Sequence, residues 1–195
     1  GASRRQAEPL AVAADYAFMA RALELAGRGL YSTHPNPRVG CVLVREGRIV
    51  GEGWHLRTGE PHAEIHALAA AGAEAAGATA YVSLEPCCHQ GRTGPCTSAL
   101  ADAGVTRVVA ALEDPNPEVG GRGLKLLREA GIQVESGVLA AQAAARNAGF
   151  VMRMRTGRPF VRCKLAMSLD GRTAMASGES QWITGPAAQI GRAHV

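Results

Sequence analysis

Aromatic residues are scarce in this chain: Phe, Trp and Tyr make up 4% of its 195 residues. Ring packing therefore does not build the core, and small side chains must pack through close backbone approach. Long apolar runs are also missing. No stretch of 18 apolar residues occurs, so no transmembrane helix is expected. No apolar leader follows Gly1 and no start methionine is present, so the chain reads as a fragment or a processed product. Charge of one sign is sparse too. A formal net charge of +4, with no lysine block and no basic surface interleaved with aromatics, argues against a nucleic-acid partner. The one basic run, RMRTGRPFVRCK at 153–164, reads as a solvated loop or strand edge, with an anionic small-molecule contact as the alternative. Cysteine does not make a disulfide set. Five cysteines, an odd number, without a secretion signal imply reduced thiols in the cytoplasm that are available as metal ligands.

What is present suits a globular protein with a real core: 47% hydrophobic and 19% charged residues. The length allows one large domain, or one domain and part of another. A first helix is expected from about Pro9 to Arg28, because Val12, Tyr16, Met19, Leu23 and Ala26 recur three and four apart. Gly27 and Gly29 mark its end. After the polar loop YSTHPNPR, the run VGCVLVREGRIVGEGW reads as a hairpin around a Glu-Gly turn. A helix begins at His62. Strands are expected at 79–84, 106–112 and IQVES, with a short helix through Ala103 and another at GLKLLREAG. Strands alternating with helices predict an α/β layered domain with a mostly parallel mixed sheet.

The texture changes after AAQAAARNAGF. RPFVRCKLAMSLDGRTA reads as a new long strand with a turn at LDG. The expected organisation is a first domain over 1–147 and the start of a second over 148–195. The last six residues, IGRAHV, supply no turn, cap or periodicity. One back-translation of them resembles a sequencing adapter, and native sequence is expected to end near Gln189.

Chemistry concentrates in two segments. In EPHAEIHALAAAG, His62 and Glu64 stand two apart at the start of a helix, where both can lean into one pocket. His-x-Glu alone is a weak signal. In EPCCHQGRTGPC, Pro86-Cys87 and Pro95-Cys96 place two thiols on one loop with eight residues between them. One imidazole and two thiolates are three zinc ligands, which leaves the fourth tetrahedral position for water, as catalytic rather than structural sites do. Glu64 is then the proton carrier. His-x-Glu followed by Pro-Cys is the pattern of zinc deaminases, whose cysteines are usually Cys-x-x-Cys; the gap of eight departs from it.

The segments THPNPRVGCVLV, GEGWH, PHAE, LEPCCHQGRTGPC, DPNPEVGGRG and RPFVRCKLAMSLDGRTA, in order from about Ala20 to Gly185, closely resemble the bifunctional riboflavin biosynthesis deaminase/reductases. That resemblance implies a three-layer α/β/α cytidine-deaminase-like domain followed by the start of a dihydrofolate-reductase-like α/β domain. It implies zinc-dependent hydrolytic deamination of 2,5-diamino-6-ribosylamino-4(3H)-pyrimidinone 5′-phosphate. His62, Cys87 and Cys96 would hold Zn2+, and Glu64 would deprotonate the attacking water and return its proton as ammonia leaves. Asn36, His55 and Arg92 would contact the substrate, with Arg92 suited to the phosphate. In the second domain Lys164, Ala166 and Trp182 would lie near NADPH and Ser180 near substrate. The chain as given is expected to deaminate but not to reduce. The expected partner is a small pyrimidine ribotide, with no nucleic acid and no membrane; a homo-oligomer is compatible with the sequence.

Each reading has a plainer rival. His62 and Glu64 could be only a helix start with an acid near the positive dipole end. Cys88 could replace Cys87. His66 is expected to be a packed or polar histidine, His89 a loop residue or a substrate neighbour, Cys41 and Cys163 small core residues, and DPNPEVGGRG a turn. The runner-up enzyme is a deaminase of another base, in tRNA or free. A zinc-stabilised interaction domain would need a fourth protein ligand and no Glu64.

Overall fold

A computed structural model describes residues 4–89, 94–117 and 119–178, with side chains from residue 13 onward. It divides into two compact units, Gly1–Phe160 and Val161–Val195. The first unit includes both helices that follow the last strand.

The first unit begins with α1 (Arg4–Gly27), then the hairpin β1 (Gly40–Arg45) and β2 (Arg48–Trp54). Next come α2 (Ala63–Ala71) with a 3-10 turn at Gly72–Ala75, β3 (Thr79–Val82), α3 (Cys96–Asp102), β4 (Arg107–Ala110), α4 (Arg122–Glu129) and β5 (Gln133–Ser136). Helices α5 (Ala140–Arg146) and α6 (Ala148–Thr156) complete it. The sheet order is β2-β1-β3-β4-β5. Pairing is antiparallel from β2 through β1 to β3 and parallel from β3 through β4 to β5. The mixed α/β sheet expected from the sequence is therefore present, with its parallel half confined to the last three strands, where helices provide the crossovers.

The period-two alternation of the strands sorts side chains to two faces. Cys41, Leu43, Ala80, Val82 and Val108 meet Ala63, Ala67, Leu100 and Leu127 of α2, α3 and α4. Val42, Val44, Tyr81 and Val109 meet Met19, Ala22, Leu23, Leu25 and Ala143 of α1 and α5. Two helical layers thus cover one sheet. Small residues set the spacing, as the shortage of aromatics requires. A Cβ on Gly53 would stand 2.3 Å from the Ala63 carbonyl oxygen and 2.5 Å from the Ala67 nitrogen. Only glycine lets β2 come so close to α2, and that contact fixes the first turn of α2, where His62 and Glu64 sit.

In the second unit the turn is where LDG placed it: the Gly171 N–H donates to the Ser168 carbonyl at 2.9 Å, and the Ser168 N–H to that of Arg172 at 2.9 Å. The long strand is not. Residues 161–168 form no strand, for among the described residues no neighbouring strand pairs with them. Cys163, expected in a core, is exposed.

Candidate active site

His62 ends the loop into α2 as its N-cap residue, in extended backbone, and its side chain makes no cap hydrogen bond. The imidazole is instead free to turn toward the cysteine loop. Its Nδ1 lies 3.5 Å from Cys87 Sγ and 3.3 Å from Cys96 Sγ. The Cys96 backbone N–H points at Cys87 Sγ over 3.3 Å, which ties the start of α3 to the Pro86-Cys87 turn. The three ligand atoms lie within 4.8 Å of one another. Both sulfurs converge on one ring nitrogen, so the donor set, one imidazole and two thiols, fits a thiophilic divalent cation such as zinc.

Protonation follows from this crowding. The hydrogen bond with Cys96, together with His62, pulls Cys87 down to about 4. The same Cys87–Cys96 hydrogen bond, burial and the Glu64 charge push Cys96 well up. The hydrogen bond to Cys87 raises His62 above the usual histidine range. A cation entering the cage must displace these protons.

Glu64 is buried in the first turn of α2, and its Oε2 has no hydrogen-bond partner among the described residues. Burial pushes its carboxyl up to about 7. A buried carboxyl with one oxygen unpartnered, beside three candidate metal donors, is placed to exchange protons near neutrality.

The cage opens into a cavity of about 380 Å³, within the range of small-molecule sites. His55 is buried at its edge, and burial lowers its pKa. Its Nδ1 lies 3.3 Å from the Pro61 carbonyl, which can only accept, so that nitrogen carries the proton. The neutral ring's bare Nε2 then accepts from Asn36 Nδ2 at 3.3 Å. This orients the Asn36 amide and leaves its carbonyl oxygen uncommitted to His55. Asn36, His55, His62, Glu64 and Cys87 thus share one cavity, with His89 also on its wall. Arg92, Ser180 and Trp182 lie outside the described residues. Lys164 and Ala166 are exposed residues of the second unit.

Sequence reasoning missed much of the opposite wall: Glu85, Asp114, Asn116 and Val119, and Phe150 and Met154 of α6. Glu85 is buried and accepts four backbone N–H groups: Asp114 at 2.9 Å, Gly121 and Gly123 at 2.8 Å, and Leu124 at 3.3 Å. It staples the DPNP loop and the start of α4 to the residue just before Pro86-Cys87. Gly123 permits this, since a Cβ there would meet the Pro86 carbonyl oxygen at 2.2 Å. The expected turn is real, with Asn116 N–H donating to Asp114 Oδ1 at 2.8 Å, but it also faces the cavity. The acid of LEPC was a usable signal, since a buried carboxylate beside a metal loop needs donors.

No helix among the described residues is long and apolar enough to cross a membrane. Residues 13–112 match the cytidine and deoxycytidylate deaminase zinc-binding region, and residues 159–194 match the RibD C-terminal domain. The riboflavin biosynthesis protein RibD of Escherichia coli strain K12 is 63% identical over 175 residues, 90% of this chain and 48% of that protein. The protein of the same name from Haemophilus influenzae is also 63% identical over 175 residues, 90% of this chain and 47% of that protein. Among solved structures, Acinetobacter baumannii RibD superposes with a TM-score of 0.86 at 58% identity, over 91% of this chain and 50% of that one. A diaminohydroxyphosphoribosylaminopyrimidine deaminase/5-amino-6-(5-phosphoribosylamino)uracil reductase from Thermotoga maritima gives 0.83 at 43% identity, over 89% and 50%. The chain spans about half the length of these relatives. A three-donor cage, a buried carboxylate beside it and a match running from α1 past β4 agree: the chain belongs to the cytidine and deoxycytidylate deaminase zinc-binding family.

Proposed function

We propose that this chain hydrolytically deaminates 2,5-diamino-6-ribosylamino-4(3H)-pyrimidinone 5′-phosphate in riboflavin biosynthesis. The observation that carries the reading is the buried Glu64 carboxyl, one oxygen of which has no hydrogen-bond partner among the described residues, beside the His62–Cys87–Cys96 cluster in a cavity of nucleotide size. Identity of 63% to riboflavin biosynthesis proteins supports the choice of base.

His62, Cys87 and Cys96 would hold Zn2+, which supplies Lewis acidity that lowers the pKa of water from ~16 to ~7. Glu64 takes the proton released as the water oxygen bonds to the amine-bearing ring carbon. It passes that proton to the ring nitrogen, then takes the remaining proton from the hydroxyl now on the carbon and gives it to the amine, so that the carbon–nitrogen bond breaks, ammonia leaves and the ring keeps a carbonyl. Asn36, oriented by neutral His55, reads the ring edge, and Arg92 clamps the phosphate. Within the described residues the donor cluster comprises these three side chains, which favours catalysis over a closed structural site.

The division into a deaminase part, 1–147, and the start of a reductase part, 148–195, belongs to the same reading. There Lys164, Ala166 and Trp182 would approach NADPH, and Ser180 the substrate. All five cysteines are free, and a working thiolate cage suits a reducing cytoplasm. The reaction requires no nucleic acid, membrane or second copy; sedimentation would read any homo-oligomer.

The test is ammonia release from a panel: the diaminopyrimidine ribotide, cytidine, deoxycytidylate and a tRNA adenosine stem-loop. The ribotide should exceed the others by at least tenfold in kcat/KM. Preference for another base would overturn the choice of substrate.

A further inference from the structure

The cavity over the donor cluster is separated from a second one, of about 570 Å³, by a thin partition. The residues common to both are Asn36 and Pro37 from the loop before β1, and Phe150 and Met154 from α6. Neither segment carries a metal donor. Helix α6 also falls between the two matched regions, 13–112 and 159–194.

One side chain joins the two halves of the partition. Asn147 is buried and is the N-cap residue of α6. Asparagine there ordinarily turns back on its own helix to accept from the first N–H groups. Here the side chain makes no such bond. Its Oδ1 accepts from the Arg38 backbone N–H at 2.9 Å, and its Nδ2 donates to the Arg38 carbonyl at 2.9 Å. The amide thus pairs with both backbone groups of Arg38 as a neighbouring strand would, 109 residues away in sequence. Arg38 is two residues after Asn36, whose amide holds His55. Three residues after Asn147 comes Phe150, on the same helix.

We propose that Asn147 is a positioning residue that latches α6 to the Asn36 loop, and so fixes the partition against which the substrate lies. This rests on the deaminase reading for its kinetic consequence, though not for the latch. His62, Glu64, Cys87 and Cys96 are held by α2, α3 and the Glu85 staple, none of which uses Asn147. Releasing the latch should therefore weaken substrate binding and leave the metal and the proton carrier in place.

The experiment compares Asn147→Ala and Asn147→Asp with the parent chain. Asp keeps the acceptor for the Arg38 N–H but sets a carboxylate against the Arg38 carbonyl, at almost unchanged volume. Zinc content, backbone amide exchange over residues 36–39, and KM and kcat for the ribotide are measured together. The latch predicts unchanged zinc, faster exchange at Arg38 and Val39, and KM raised roughly ten- to a hundredfold with kcat within about threefold. Loss of zinc, equal falls in kcat and kcat/KM, or exchange and KM as in the parent would overturn it. If the parent releases no ammonia from the ribotide, the deaminase reading fails instead. Amide exchange then decides the latch alone, and unchanged protection in both variants refutes it.

Discussion

Replacing Glu85 by glutamine tests how the cavity wall is held. Each carboxylate oxygen of Glu85 serves two backbone donors: Oε2 takes the N–H groups of Asp114 and Gly121, and Oε1 those of Gly123 and Leu124. Glutamine keeps one oxygen and puts an NH2 group where the other stood, so two backbone donors face a donor. Hydrogen bonds to a charged group contribute ~1.5–3 kcal/mol each, and a buried donor left unmade costs its desolvation as well. Two lost bonds give about 3–6 kcal/mol. Local movement of the loop between Asp114 and Gly121 brings the expected value to the lower end, about 3 kcal/mol, a large part of the ~5–15 kcal/mol that holds an ordinary domain together. With a urea slope of ~2 kcal/mol/M, the unfolding midpoint should fall by roughly 1.5 M. Because the stapled loop carries Asp114 and Asn116 onto the cavity wall, KM for the ribotide should rise as well. A midpoint within about 0.2 M of the parent would refute the staple, since no arrangement of an amide can accept all four N–H groups.

Other consequences can be checked alongside. Cys96→Ser should leave less than about a tenth of the parent's zinc after dialysis, because a hydroxyl does not replace a buried thiolate in a three-donor site; full metal content by elemental analysis would remove Cys96 from the cage. Zinc affinity should rise with pH through neutrality. The hydrogen bond to Cys87 raises His62 above its ordinary value, so a proton competes with the metal up to a higher pH than for a free imidazole; a pH-independent Kd from competition titration would contradict this. Gly53→Ala should destabilise the fold by about 3 kcal/mol or more, since its methyl would overlap the Ala63 carbonyl oxygen at 2.3 Å. Thermal unfolding measures this, and an unchanged Tm would show that α2 does not rest on β2 as described.

The cluster of His62, Cys87 and Cys96 with Glu64 beside it was legible in the sequence as a candidate site, because such chemistry is encoded by residue type and spacing: His62 and Glu64 at a helix start, and two Pro-Cys pairs on one loop. The strands were legible through their alternation, Cys41 and Leu43 to one face and Val42 and Val44 to the other. The far wall was not. Asp114 and Asn116 lie in a Pro-rich turn whose local purpose is obvious, and nothing in DPNP shows that burial of Glu85 draws it over the metal loop. Phe150 and Met154 follow a change of texture at Asn147 that reads as the end of a domain, and only the Arg38 pairing shows that the next helix turns back. The segment 161–168 failed differently. Its β-rich composition states a preference, and a strand exists only where a second strand accepts its hydrogen bonds.

The most direct measurement is ammonia release from the ribotide by the zinc-loaded parent and by zinc-loaded Glu64→Gln, with metal content read in the same preparations. Three candidate donors that do not include Glu64, and a buried carboxyl proposed as the proton carrier beside them, predict equal zinc in both and a rate lower by about 10²–10⁴-fold in the variant. A variant that holds its zinc and turns over as fast as the parent would contradict the proposed mechanism at its centre.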